Sequence, residues 1–243
     1  MRNIWTLAAR EFKQYFASPA AYLVAAMLLV VMGIIFYTNV VGAIINQFPP
    51  TTQVVLGPLV TLLLFATPAI TMRLLAEEQR QGTMELLLTA PVRDFELVVG
   101  KWLGGFMFML SILAMTWLYP IFLNQIVDPG IDQGLLVSGY LGVILFTAAL
   151  VAIGVAVSSL FSNQIAVFFT TLGVFLILWL VSLPAQAMGA AGGEIMRYLD
   201  ASEHFYTTFY QGVIDLSDIV YFLSVTALAL FVGTMSIEYR RWR

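Results

Sequence analysis

QYFASPAAYLVAAMLLVVMGIIFYTNVVGAIINQFPPTTQVVLGPLVTLLLFATPAITM, residues 14–72, contains no Asp, Glu, Lys or Arg. As one helix these 59 residues would run to about 88 Å at ~1.5 Å each, whereas a bilayer core takes ~30 Å, so the stretch holds two crossings and a turn. The turn is Asn46-Gln47-Phe48-Pro49-Pro50-Thr51-Thr52-Gln53, where tandem proline removes two backbone donors and disfavours continued helix. Spans are predicted near 20–42 and 56–75. Residues 133–193 form a second uncharged run of 61, and its only polar cluster, Ser158 to Gln164, divides it into spans near 135–157 and 165–184. A further span near 102–123 follows Lys101 and ends at Asn124-Gln125, and a last one near 218–236 stops before Glu238. The expectation is an all-α integral membrane protein with six transmembrane helices, forming one transmembrane domain over residues 1–243.

Composition agrees. Of 243 residues 60% are apolar and 10% charged, against roughly 45–50% and 25% in an ordinary soluble domain, and mean hydropathy is +0.91. Six spans put both termini on one side, and basic residues in short loops stay cytoplasmic. With the N-terminus inside, Arg2, Arg10, Lys13, Arg73, Arg80, Arg93, Lys101, Arg240, Arg241 and Arg243 are cytoplasmic and only Arg197 is outside, so the predicted orientation is N-in, C-in. Trp5, Trp102 and Trp242 fall at the cytoplasmic boundary, where the amphipathic indole prefers to sit. A net charge of −3 says little about partners, and no nucleic acid is expected.

Residues 2–16 read as an amphipathic helix, with Ile4, Trp5, Ala8, Phe12, Tyr15 and Phe16 on one face and Arg2, Asn3, Thr6, Arg10, Lys13 and Gln14 on the other. It is expected to lie flat in the cytoplasmic interface before Ser18-Pro19 turns the chain into the first span. Arg10, Glu11 and Lys13, a following apolar run too long for a signal peptide and the lack of an Ala-x-Ala site argue that this segment is retained.

Several chemistries are excluded. With no cysteine there is neither disulfide nor thiolate metal site, and the lone His204 makes neither a metal site nor a triad. Leu136 stands where a rhomboid-type Gly-x-Ser-Gly motif around Ser138-Gly139 needs glycine, and no His-Glu-x-x-His helix exists. Before Gly100-Lys101, Phe95 occupies the first glycine position of a phosphate loop, and Trp102 stands where Ser or Thr is required. No catalytic, cofactor-binding or metal residue is assigned, and the chain is not expected to be an enzyme. No buried charge is expected within a span to mark a solute path, as an ion- or proton-coupled carrier would need.

Between the second and third spans lies Arg73-Leu74-Leu75-Ala76-Glu77-Glu78-Gln79-Arg80-Gln81-Gly82-Thr83-Met84-Glu85-Leu86-Leu87-Leu88-Thr89-Ala90-Pro91-Val92-Arg93. Gly82 can end a polar extension of span two, Thr83 can cap a new helix and Pro91 limits it to about two turns. Met84, Leu87 and Leu88 share one face, so residues 82–90 read as a small exposed docking helix.

The run Glu78-x-Arg80-x-Gly82-Thr83-x-Glu85-x-Leu87-Leu88-x-x-Pro91-Val92, followed by Gly100-Lys101, resembles the signature of ABC-2 type transporter permeases. The resemblance implies that 82–90 is a coupling helix docking on an ATPase subunit, with Glu78, Arg80, Gly82, Thr83, Met84, Glu85, Leu87, Leu88 and Pro91 as coupling residues. Two other stretches resemble the gliding-motility-associated branch of that family: Arg10-Glu11-Phe12-x-x-Tyr15-Phe16-x-Ser18-Pro19-x-Ala21-Tyr22, and Glu203-His204-Phe205 with Gly212-Val213-Ile214-Asp215-x-x-Asp218-x-x-Tyr221-Phe222. The family implies a half-transporter in a bacterial inner membrane, embedded in lipid. It pairs with a second permease subunit, identical or related, and with ABC ATPase subunits that hold ATP and magnesium, so that the chain itself catalyses nothing.

The loop over 185–217 is the other candidate region. Asp200-x-x-Glu203 reads as a capping pair, Phe205, Tyr206, Phe209, Tyr210 and Val213 as a helical stripe, and Gly189-Ala190-Ala191-Gly192-Gly193 as a flexible hinge. By the resemblance, Glu203, His204, Phe205, Phe209 and Tyr210 are outer-gate candidates; packing on the span ends is the alternative. Thr61, Thr67, Thr71, Thr170 and Thr171 either line a wall for an amphiphilic cargo or pack helices together. Two functions follow: ATP-driven export of a lipid-like substrate, or a platform passing ATP-driven motion to an extracytoplasmic auxiliary protein.

Overall fold

The computed structural model describes residues 2–84, 92–184 and 189–241. Among them the regular structure is all helix. α1 is Arg2–Ala17 and α2 Pro19–Ile45, with Ser18 as N-cap and Pro19 at the first helical position, where its missing N–H costs nothing. After the turn at 46–52 come α3, Gln53–Thr71, and α4, Ala76–Gln81. Gly82 ends α4 in the left-handed conformation at φ 71°. The amide of Gly82 donates to Gln79 O (3.4 Å) and that of Thr83 to Glu78 O (3.1 Å), the paired closure of a Schellman motif.

α5, Asp94–Thr116, begins where the Glu96 carboxylate accepts the Arg93 N–H, and it gives way at Trp117 to α6, Leu118–Ile126. α7, Gln133–Leu160, is capped by Asp132, whose carboxylate accepts from Gly134 N (2.8 Å) and Leu135 N (3.2 Å). α8, Gln164–Leu180, is capped by Asn163 through Ile165 N. α9, Gly189–Leu199, α10, Ala201–Tyr206, a 3-10 turn over Phe209–Gln211 and α11, Leu216–Arg241, complete the chain.

Among the described residues five helical stretches are long and apolar enough to cross a membrane: Pro19–Ile45, Gln53–Gln81, Asp94–Ile126, Gln133–Leu160 and Leu216–Tyr239. The chain is a multi-pass membrane protein. The remaining expected span, 165–184, contains the 17-residue α8, about 25 Å of helix against the ~30 Å of a hydrocarbon core.

α7 is the axis of the bundle. Every residue from Phe146 to Ser159 is buried, with α3, α5, α8 and α11 packed around it. A helix apolar all round belongs in such a place. Its glycines admit neighbours: a Cβ on Gly154 would lie 2.6 Å from Thr71 Cβ, and one on Gly142 would lie 2.6 Å from Phe209 Cβ. α2 is peripheral, held through α3 and by the Tyr119 hydroxyl donating to Leu29 O (2.8 Å), while Leu23, Met27, Val30, Ile34 and Tyr37 face outward.

Three expectations are corrected. α1 does not simply lie flat: it packs along α5, where a Cβ on Gly104 would be 2.5 Å from Glu11 Cβ and one on Gly100 2.7 Å from Leu7 Cβ. Two small residues four apart let the backbones meet. Ala8 and Tyr15 are thereby buried, while Trp5 (61% exposed) and Phe16 (41%) on the same apolar face remain outside. Residues 189–193 open α9 rather than forming a hinge, because alanine at two positions and intrahelical bonding outweigh a glycine penalty of ~1 kcal/mol each. The aromatic stripe is not one helix, since α10 stops at Tyr206 and the chain turns again at Gly212, φ 88°. Most of the expected coupling helix 82–90, and Trp242, lie outside the described residues.

Gly154→Ala should destabilise the protein by ~1–3 kcal/mol through overpacking against Thr71. Gly173→Ala, whose Cβ meets nothing within 4 Å, should be neutral or stabilising by up to ~1 kcal/mol. Thermal unfolding in detergent, where ~1 kcal/mol corresponds to ~2–4 °C, distinguishes the two; equal shifts would contradict the close α3–α7 contact.

Candidate functional site

At the end of the bundle formed by α1, α4 and the start of α5, here the proximal end, Lys101 is 2% exposed. Its Nζ lies 2.7 Å from Glu11 Oε1 of α1 and 2.9 Å from Glu78 Oε1 of α4. A buried ammonium must be paired, and these are short charge-assisted contacts. Two carboxylates face one cation, and Glu78 Oε2 has no hydrogen-bond partner among the described residues. Arg10 and Arg73 offset the excess negative charge across an adjoining cavity of about 570 Å³, also lined by Gln14, Ser18, Glu77 and Gln81.

Further contacts fix α4. Ser158 Oγ, at the end of α7, accepts from Leu75 N and Ala76 N, both at 3.0 Å, and so satisfies two of the orphan amides at the α4 start. Gln79 Nε2 donates to Ser159 O at 2.9 Å. The Tyr15 hydroxyl donates to Ile70 O at 3.0 Å, and its ring stacks on Phe108 at 4.8 Å, tying α1 to α3 and α5. Burial holds that hydroxyl well above its ordinary pKa, so it remains a donor.

Of the residues expected to couple, Glu78 belongs to the ion cluster, Gly82 and Thr83 form the exit from α4, and Arg80 is exposed. Met84 is buried in the chain's own core at 6% exposure. Glu85, Leu87, Leu88 and Pro91 lie outside the described residues. The sequence reading missed the meeting of Glu11, Glu78 and Lys101, and the role of Ser158. A signal existed: Lys101 heads a long uncharged run and so requires a carboxylate partner.

At the distal end, Asp200 caps α10 by accepting from Ser202 N (2.8 Å) and Glu203 N (3.3 Å), and Ser182 donates to its other oxygen. Phe205 and Phe209 are fully buried. Phe209 O accepts from Ser138 Oγ (3.1 Å) and Tyr210 O from Gln53 Nε2 (3.1 Å), which docks this segment on α7 and α3. His204 lies against Asp218 and Tyr221 of α11, and Glu203 is half-buried. Thr67, Thr71 and Thr171 are fully buried between helices. Thr71 donates to Thr67 O (2.9 Å) and Thr61 to Gly57 O (3.1 Å).

The described residues thus form a helical bundle with a short polar helix tethered by ion pairs at one end and a docked aromatic segment at the other. Residues 44–202, well over half of the chain, match the family described as ABC-2 family transporter protein, and the chain belongs to that family. The match runs from the end of α2 to the start of α10; it includes Glu78 and Lys101 of the proximal end and Asp200 of the distal end. No curated protein matches the chain.

Lys101→Met should detach α1 by leaving Glu11 and Glu78 face to face, a loss of ~3–5 kcal/mol for a broken buried pair. A cysteine placed at the fully buried Ala8 should then react with a thiol reagent. Protection of that cysteine in the Met variant would show that the ion cluster does not hold α1.

Proposed function

We propose that the chain is the permease subunit of an ATP-driven exporter, working with a second permease copy or relative and with separate ABC ATPase subunits that hold ATP and magnesium. Family membership supports the transporter role. The observation that carries the coupling role is the setting of α4: it leads through Gly82 directly into residues 82–90, and it is bonded to α1 and α5 through Lys101 and to α7 through Ser158. ATPase closure pushes residues 82–90, with Arg80, Gly82, Thr83, Glu85, Leu87, Leu88 and Pro91 forming the transmission and Met84 anchoring it inside the bundle. A push there bears on three long helices at once, the arrangement a ligand-biased two-state bundle needs.

The topology is six spans with both termini in the cytoplasm of a bacterial inner membrane. α8 completes the count with the help of Val181–Pro184, and ten of the eleven basic residues then lie inside. The distal end is the outer gate, where Glu203, His204, Phe205, Phe209 and Tyr210 close the exit. The cargo is lipid-like or amphiphilic, in keeping with the long uncharged runs at 14–72 and 133–193.

Replacing Leu87 and Leu88 together by Asp should abolish co-purification with a Walker-motif ATPase, since an unpaired buried charge costs several kcal/mol, while membrane insertion persists. Full retention of that ATPase by the double variant would refute the coupling role. Co-purification of an extracytoplasmic protein, with no transported amphiphile, would instead favour a mechanical platform.

Cysteines introduced singly at Pro49, Asp128 and Gly192 should react with a membrane-impermeant thiol reagent in intact cells, whereas those at Gln81 and Ser162 should not. The reverse pattern would invert the orientation.

A further inference from the structure

The proximal cavity carries charge that the ion cluster does not use. At about 570 Å³ it falls within the ~300–1,000 Å³ of small-molecule sites. Three basic side chains, Arg10, Arg73 and Lys101, and three acidic ones, Glu11, Glu77 and Glu78, line it. Lys101 is engaged by Glu11 and Glu78 at 2.7 and 2.9 Å, one ammonium between two carboxyl groups. The two arginines are different. Among the described residues neither makes an ion pair: Arg73 donates to Ser18 Oγ at 3.3 Å, and Arg10 is exposed. Glu77 is half-buried and accepts only the Gln81 amide, at 3.1 Å.

The walls are divided by chemistry. Arg10 comes from α1 and Glu77 from α4, whereas the opposite side is apolar, formed by the half-buried Ala20 and Val24 of α2 and Ala69 of α3. Both of those helices belong to stretches long and apolar enough to cross a membrane. The polar side lies where the amphipathic α1 gives way at Ser18-Pro19 to α2, the level at which lipid headgroups meet such a helix.

We propose that this cavity binds one membrane phospholipid with an ethanolamine headgroup. Its phosphate oxygens accept from Arg10 and Arg73, its ammonium donates to Glu77, and an acyl chain follows Ala20 and Val24 along α2. Guanidinium suits phosphate because its donors are fixed in a fork that matches the anion's oxygens. Because the formal charges of the six lining side chains cancel, an occupant with no net charge leaves the cavity neutral. A glycerol headgroup has no cation for Glu77 and adds a negative charge. A choline headgroup has the cation but no N–H to donate. Free phosphate would leave the apolar wall uncovered.

The lipid would bridge α1 to α4 through its headgroup, a second tether beside Lys101. It is a resident of the leaflet rather than cargo, so the site does not depend on the transport reading, and its test involves no ATPase.

The delipidated full chain in detergent is mixed with equal amounts of dioleoyl phosphatidylethanolamine, phosphatidylcholine and phosphatidylglycerol, and retained lipid is counted by native mass spectrometry. One ethanolamine lipid per chain should remain, severalfold more than either competitor. Arg10→Gln, at an exposed residue without an ion-pair partner among the described residues, should lower retention severalfold, and Arg10→Gln with Arg73→Gln should abolish it. Lys13→Gln, which removes an equal charge from α1 outside the cavity, should retain the lipid. Glu77→Gln should bring the ethanolamine and choline lipids close to parity. Soluble phosphoethanolamine at the lipid's concentration should displace none of it. Equal retention of the three lipids, a preference for the glycerol headgroup, full retention in the double Gln variant, or displacement by the soluble headgroup would each overturn the site.

Discussion

Close approach to α7 is the constraint on which the bundle depends. Within a hydrocarbon solvent apolar side chains gain nothing by leaving lipid for protein, so helices associate through fit and dispersion rather than through the hydrophobic effect. α7 supplies that fit. Gly139 receives Leu56, Gly142 receives Phe209 and Gly154 receives Thr71, while Ala148, Ala149, Ala152 and Ala156 keep the rest of the rod slender. The surrounding α3, α5, α8 and α11 reach it from all sides, and the outlying α2 is held only through its own neighbours.

The same helix meets both polar ends of the molecule. Ser158 and Ser159 at its C-terminus bind α4 and Gln79, and Ser138 and Gly142 near its N-terminus seat the Phe209 segment. Its 28 residues span about 42 Å. The only buried Lys–carboxylate cluster among the described residues lies at the proximal end, where Lys101 cannot remain charged and dry without Glu11 and Glu78. At the distal end the work falls to the Asp200 cap and the His204–Asp218 pair. The middle of the bundle carries no charge, as expected where an unpaired ion has no water to stabilise it.

Much was legible beforehand for a plain reason: runs such as 14–72 and 133–193 contain no charged residue, and only helices can carry such backbone through a bilayer. The sequence by itself therefore determined the all-helical, multi-pass character. Local chemistry marked the turn after Asn46, the cap at Asp200 and the end of α4 at Gly82, because proline, an Asx side chain and a left-handed glycine act within a few residues. The signature around Glu78 to Val92 pointed to the family that the match over 44–202 shows.

What joined residues far apart in the chain was decided only by tertiary structure. Glu11 and Lys101 are 90 positions apart, and nothing in periodicity assigns one to the other. The amphipathic pattern of α1 measured how apolar its face is but not that Gly100 and Gly104 would take half of that face from the lipid. His204 was a lone histidine in a loop until α10 and α11 brought Tyr198 O and Asp218 to its two nitrogens. Sequence patterns report what each residue prefers as a solvent; which partner meets a buried charge depends on how helices cross, and that is a property of packing alone.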